Sequence, residues 1–134
     1  MVIKSSWYDD SHTIILHKIS GTWTWNDLVA SIYVSAEMMS TVTHKVCVMV
    51  DLSGTTSMPG MNMKSLQQIA NAQTSNHPNM TVRYLIGLRP YLKTMLEIFG
   101  RIFPRAYQKY RVAKNIEDAI ANMKVTNVLD APRV

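Results

Sequence analysis

The stretch Lys45-Val46-Cys47-Val48-Met49-Val50-Asp51-Leu52-Ser53-Gly54 decides how this chain is read. Val46 to Val50 run without any alternation of polar and apolar side chains, so a strand here hides both of its faces. Strands of that kind belong to parallel sheets flanked by helices, and in such sheets function gathers at the carboxyl ends of the strands. The run meets an acidic residue, Asp51, and then a segment rich in Ser, Thr and Gly that reads as a loop as far as Gly60.

Working outward, residues 2–8 and 13–20 read as two strands closed by the polar turn Asp9-Asp10-Ser11-His12. The second of them, with Ile14, Ile15, Leu16 and Ile19, is the more buried. Thr24 and Asp27 have the spacing of a helix-starting capping box. Leu28, Val29, Ile32, Tyr33, Ala36 and Met39 follow with the period of one helical face. Beyond the loop, Met63, Leu66, Ile69 and Ala70 predict a second helix that closes near the polar cluster Ser75 to Asn79. Thr81 to Leu88 predicts another strand. Pro90 suits the first position of a third helix, whose broad stripe of Tyr91, Leu92, Met95, Leu96, Phe99, Ile102 and Phe103 stops at Pro104. Lys109 to Ala113 reads as a short last strand. Asn115 caps a final helix that buries Ile116, Ala119, Ile120 and Met123.

The order is β-β-α-β-α-β-α-β-α. It predicts an α/β fold: a mainly parallel sheet of four to five strands, an N-terminal antiparallel hairpin and four helices. One domain is expected over residues 1–123, with an extended or mobile tail over 124–134.

A chain of 134 residues suits one domain, and its net charge of +5 comes from 14 basic and 9 acidic side chains. That excess permits an acidic partner or an anionic membrane surface without requiring either, and nucleic acid is not expected. Cys47 is the single cysteine, which excludes an intrachain disulfide and reads as a small apolar core residue. The N-terminus lacks the apolar centre of a signal peptide, and no apolar run approaches the ~20 residues of a membrane span. A cytoplasmic location is therefore expected.

Asp51 is the best-placed polar residue, but acid–base chemistry needs a second titratable group beside it, and no pairing is legible. Its carboxylate is expected to fix the loop that follows. His12, His17, His44 and His77 lie on turns and strand edges without the spacing of a metal site. No glycine-rich phosphate loop is present, so neither cofactor nor metal is expected, and the chain does not read as an enzyme.

Val50-Asp51-Leu52-Ser53-Gly54 ahead of a helix, together with this order of elements, resembles the STAS family, domains of sulfate transporters and anti-sigma-factor antagonists. The resemblance covers most of residues 1–123. Gly21 to Leu28 is similar to the start of the first helix in the broader SpoIIAA-like group, part of which shows kinship to lipid-binding Sec14-type domains. The resemblance implies a non-enzymatic, bacterial-type regulatory domain that docks a protein partner, often a kinase that phosphorylates a hydroxyl at the start of the second helix.

Aligned from Asp51, this chain has Pro59 and Gly60 where the family has its Asp-Ser pair, so the familiar phosphoacceptor is missing. Thr55, Thr56 and Ser57 are the hydroxyls left for modification. The partner surface so implied comprises Asp51, Ser53, Thr55, Thr56, Ser57, Met58, Gly60 and Met61, the methionines lending it adaptable apolar area. The alternative surface is the third helix and its continuation, Phe99, Arg101, Phe103, Arg105 and Lys109. Its mixture of aromatic and basic residues suits a lipid, a small apolar ligand or an anionic membrane. The width of its stripe also leaves room for a homodimer contact.

Overall fold

A computed structural model describes residues 3–57, 59, 60, 62–74 and 77–126. The elements are β1 (Ile3–Trp7), β2 (Ile14–Thr22), α1 (Trp25–Met39), β3 (Val46–Ser57), α2 (Met63–Thr74), β4 (Met80–Ile86), α3 (Pro90–Ile102), α4 (Pro104–Tyr107), β5 (Tyr110–Ala113) and α5 (Ile116–Thr126). They form one five-stranded sheet in the order β1-β2-β3-β4-β5. β1 and β2 are the antiparallel hairpin; every other neighbouring pair is parallel.

The topology dictates the layers. From β2 to β5 the chain steps along the sheet in one direction, and right-handed crossovers then carry every connecting helix to the same face. Accordingly, side chains of α1, α2 and α3 share a core cluster with Val46, Val48 and Val50. The helix after the last strand, α5, packs its Ala119 and Met123 on the opposite face against Cys47, Met49 and Tyr84. β3 is the middle strand, and its residues Val46 to Val50 are buried throughout, as the unbroken apolar run requires.

Local signals held where they involve caps. Thr24 Oγ1 accepts from the Asp27 amide at 3.2 Å and the Asp27 carboxylate accepts from the Thr24 amide at 2.8 Å, which is the full capping box. The Asn115 side chain accepts from the Asp118 amide at 2.7 Å. Pro90 opens α3.

Other expectations need correction. The segment after Asp51 is strand as far as Ser57, because β3 goes on pairing with β2 through Gly54, Thr55 and Ser57 past a register shift. Gly54 permits this: a Cβ there would lie 3.2 Å from the Ser20 Cβ. Pro104 starts the extra one-turn helix α4 rather than simply ending α3.

α1 turns much of its expected face inward, with Leu28 and Val29 packed against the core, but not all of it. It buries Ser31, Ile32, Ser35 and Met39 while Tyr33 is exposed. α3 buries Leu92, Met95 and Phe99 and leaves Tyr91 and Ile102 exposed, a narrower face than its stripe promised. α5 runs on to Thr126, so Lys124 to Thr126 are helical; residues 127–134 of the expected tail lie outside the described residues.

Candidate functional site

The carboxyl end of β3 combines a satisfied acid with a row of hydroxyls. Asp51 Oδ1 accepts from the Ser53 amide at 3.0 Å and from Ser53 Oγ at 2.6 Å, so the carboxylate braces the continuing strand β3 rather than a loop. Ser53, Thr56, Ser57 and Gly60 are exposed. Thr55 is buried: its Oγ1 accepts from Trp23 Nε1 at 3.0 Å and its carbonyl accepts from the Arg89 guanidinium. Thr55 therefore faces inward while its two neighbours face out. Met63, the first residue of α2, is 58 % exposed, and the Asn62 side chain before it accepts from the Ser65 amide at 2.8 Å. Met58 and Met61 lie outside the described residues.

Two tryptophans tie this segment to the start of α1. Besides the Trp23–Thr55 bond, Trp25 Nε1 donates to the Gly60 carbonyl at 2.7 Å, and the two indoles meet edge to face at 5.3 Å. Both also line a cleft of about 70 Å³ between the sheet and the helices. Its other walls come from α1 (Leu28, Ile32), α3 (Leu92, Met95, Leu96, Phe99) and the strands (Val50, Leu85). The turn out of β4 lies against the same strand end. Gly87 has φ +72°, and a Cβ on it would fall 2.8 Å from the Ser53 Cβ, so only glycine fits there.

The titratable side chains Arg83 and His17 are buried on the sheet face beneath α1, α2 and α3. Arg83, on β4, is 3 % exposed. Its Nη2 donates to Ser35 Oγ at 3.1 Å, and its guanidinium is hydrogen-bonded to the Tyr110 side chain, while Nη1 has no partner among the described residues. Burial pushes Arg83 below its ordinary pKa, and Tyr110 opposes that shift. His17, on β2, is fully buried, not at a strand edge as its sequence setting suggested. Its Nδ1 is hydrogen-bonded to Ser5 Oγ at 2.6 Å and its Nε2 has no partner. Desolvation, reinforced by the Arg83 charge, lowers its pKa to about 3, so the imidazole is neutral. Arg83 also lines the cleft.

The architecture is similar to that of an uncharacterized protein of the DUF3478 family, with a SpoIIAA-like fold, from Shewanella loihica PV-4. The TM-score is 0.56 at 9 % identity over 89 % of this chain and 90 % of that one. The fold is STAS-like. The STAS-like chain is also similar to murine Solute Carrier 26 family member A9, an anion transporter in the inward-facing state. Here the TM-score is 0.59 at 12 % identity, over 84 % of this chain and 18 % of the transporter. No protein-family model matches the chain, and no curated protein does.

In this STAS-like fold the basic, aromatic stretch after α3 divides by depth. Phe99 is buried, packed edge to face on Tyr110 at 5.9 Å, and Phe103 is half-buried against Phe99. Arg101, Arg105 and Lys109 are exposed. Phe99 and Phe103 thus belong to the core, while the cations and Tyr107 are on the surface. Among the described residues no three metal-ligating side chains converge, and no helix is long and apolar enough to cross a membrane.

Sequence reasoning missed Arg83 and the depth of His17. Arg83 interrupts the otherwise apolar run Val82 to Ile86, and His17 falls two residues from both Ile15 and Ile19, on the strand face that those core residues share. A polar residue inside a strand covered on both faces is buried by position.

Proposed function

We propose that this STAS-like domain is a non-enzymatic regulatory module of the cytoplasm that docks a protein partner on the exposed end of β3 and the start of α2. One observation carries the reading. The strand end presents Ser53, Thr56 and Ser57 outward and leads to the exposed Met63, on a segment that Trp23 and Trp25 pin from behind. A rigidly held surface loses little freedom on binding, which favours recognition. Thr56 and Ser57 are the hydroxyls a kinase would reach, and Thr55 is closed to one.

Quantitative affinity capture with the wild-type chain and with the Met63→Asp and Ser57→Arg variants tests this surface. Both substitutions fall on exposed positions and leave the fold intact, and capture is expected to fall at least about tenfold, the equivalent of losing one good anchor. Unchanged capture by both variants removes the surface from consideration. A second copy of the chain is one such partner, and light scattering identifies that case.

A second reading is favoured by the cleft between the sheet, α1 and α3, which offers an apolar ligand a place shielded from water. Its walls include four side chains of α3, the helix expected to serve a lipid or small apolar ligand. With Phe99 inside and the cations outside, this second reading rests on an interior site rather than on a membrane-facing surface.

A further inference from the structure

We propose that the cleft receives the apolar part of a small carboxylate-bearing ligand and that Arg83 is the cation that holds its carboxylate. The inference rests on the second reading above and goes beyond it by naming the chemical class.

The wall of the cleft holds few polar groups. Trp23 Nε1 is bonded to Thr55, Trp25 Nε1 to the Gly60 carbonyl, Ser31 Oγ to the Leu28 carbonyl and the Tyr110 side chain to Arg83. Each of those groups is engaged within the protein. Among the described residues of the wall, Arg83 Nη1 alone has a donor to spare. A guanidinium stays charged even when buried, and a buried charge without a counter-charge is costly unless something compensates it. No Asp or Glu among the described residues does so: apart from Ser35, Tyr110 is its polar neighbour. The nearest buried base, His17, is neutral and supplies no negative charge.

An apolar cleft with one unmatched guanidinium in its wall complements an apolar group that ends in a carboxylate. Neutral apolar molecules would fill the cleft and leave the charge as it was. Nη1 is sealed from solvent, so the ion pair forms when the ligand displaces the side chains around it. The size of the cleft limits the ligand. Its volume of about 70 Å³ is roughly half that of the ~150 Å³ cavity known to bind benzene, so it holds a short alkyl group and not a full lipid tail.

The test uses the full chain with hexanoate and 1-hexanol as probes, followed through the indole N–H signals of Trp23 and Trp25 in two-dimensional NMR. Trp7, which does not line the cleft, is the internal control. Hexanoate is expected to shift both cleft signals saturably, with a Kd at least about tenfold below that of hexanol, as one charge-assisted pair provides. In Arg83→Met the two probes are expected to bind alike.

Equal binding of hexanoate and hexanol to the wild-type chain overturns the carboxylate proposal and leaves the apolar-ligand reading standing. Failure of both probes to shift Trp23 and Trp25 overturns the proposal and that reading together. The wild-type comparison decides even where Arg83→Met does not fold. Leu28→Trp, which fills the cleft and keeps Arg83, is then expected to abolish the hexanoate shift, and its persistence overturns the proposed location.

Discussion

The face of the sheet beneath α5 and the face beneath α1, α2 and α3 are made by alternate residues of the same strands, yet they are finished differently. Beneath α5, Cys47, Met49, Ile86, Ala119 and Met123 meet without polar loose ends. The buried Cys47 Sγ lies 3.1 Å from Thr81 Oγ1, and the Tyr84 hydroxyl donates to Asn122. The other face holds the cleft and both buried side-chain nitrogens that lack a partner among the described residues, on His17 and Arg83. One face is closed by packing alone. The other carries desolvated polar groups and a void that packing alone does not explain, and such departures from close packing are where function is usually found.

Matched truncations break or sharpen this contrast most strongly. Met49 lies in the dense face and Met95 in the cleft wall, and both are buried. Met49→Ala is expected to cost about 4 kcal/mol, because its close neighbours cannot collapse into the space. Met95→Ala is expected to cost about 2 kcal/mol, because it only enlarges an existing void. Urea unfolding of the two variants measures the difference, and equal costs would erase the distinction between the faces.

The next largest effect is on pH dependence. The folded pKa of His17, about 3, lies below the ordinary 6.5, so between these values the unfolded chain binds the extra proton. The stability gained by keeping the ring neutral is complete above pH 6.5 and is lost progressively as the pH falls toward 3. The loss between pH 7 and pH 5 is about 2 kcal/mol. His17→Phe is expected to flatten that slope in urea titrations at the two pH values, and an unchanged slope would show that other groups set it.

Arg83→Met comes third. Removing an uncompensated buried charge is expected to raise stability by about 1–2 kcal/mol, read as a higher Tm. It should also raise the folded pKa of His17, since the Arg83 charge is part of the cause of its lowering. A lower Tm would mean that the bonds to Ser35 and Tyr110 outweigh the burial. Trp25→Phe is the smallest change. It loses the bond to the Gly60 carbonyl, worth about 0.5–1.5 kcal/mol, and amide exchange is expected to quicken from Gly60 to Ser65 and not beneath α5.

Much of the fold was legible because its signals are local. The unbroken Val46–Val50 run, the Thr24/Asp27 box and Pro90 at a helix start each act through a few neighbouring residues. The misreadings have tertiary causes. Tyr33 was placed inward because a period of apolar residues ignores serines. Ser31 and Ser35 face the sheet because small side chains leave room for Arg83, and Ser35 accepts its hydrogen bond. The residues beyond Asp51 favour a loop by composition, while pairing with β2 overrides that preference. Of the candidate residues, Asp51 and the exposed hydroxyls could be located from the chain alone. The burial of Thr55 depends on Trp23, 32 residues away in sequence, and could not.

Gly87 joins the two surfaces mechanically. Its missing side chain lets the turn after β4 rest directly on the backbone at Ser53, and α3 begins three residues later. The outer strand end and the start of the helix that lines the cleft are therefore close neighbours through backbone alone at this one residue. An alanine at 87 would meet the Ser53 backbone at 3.0 Å while held at a φ of +72° that side chains disfavour, so the turn or the strand end must shift to admit it.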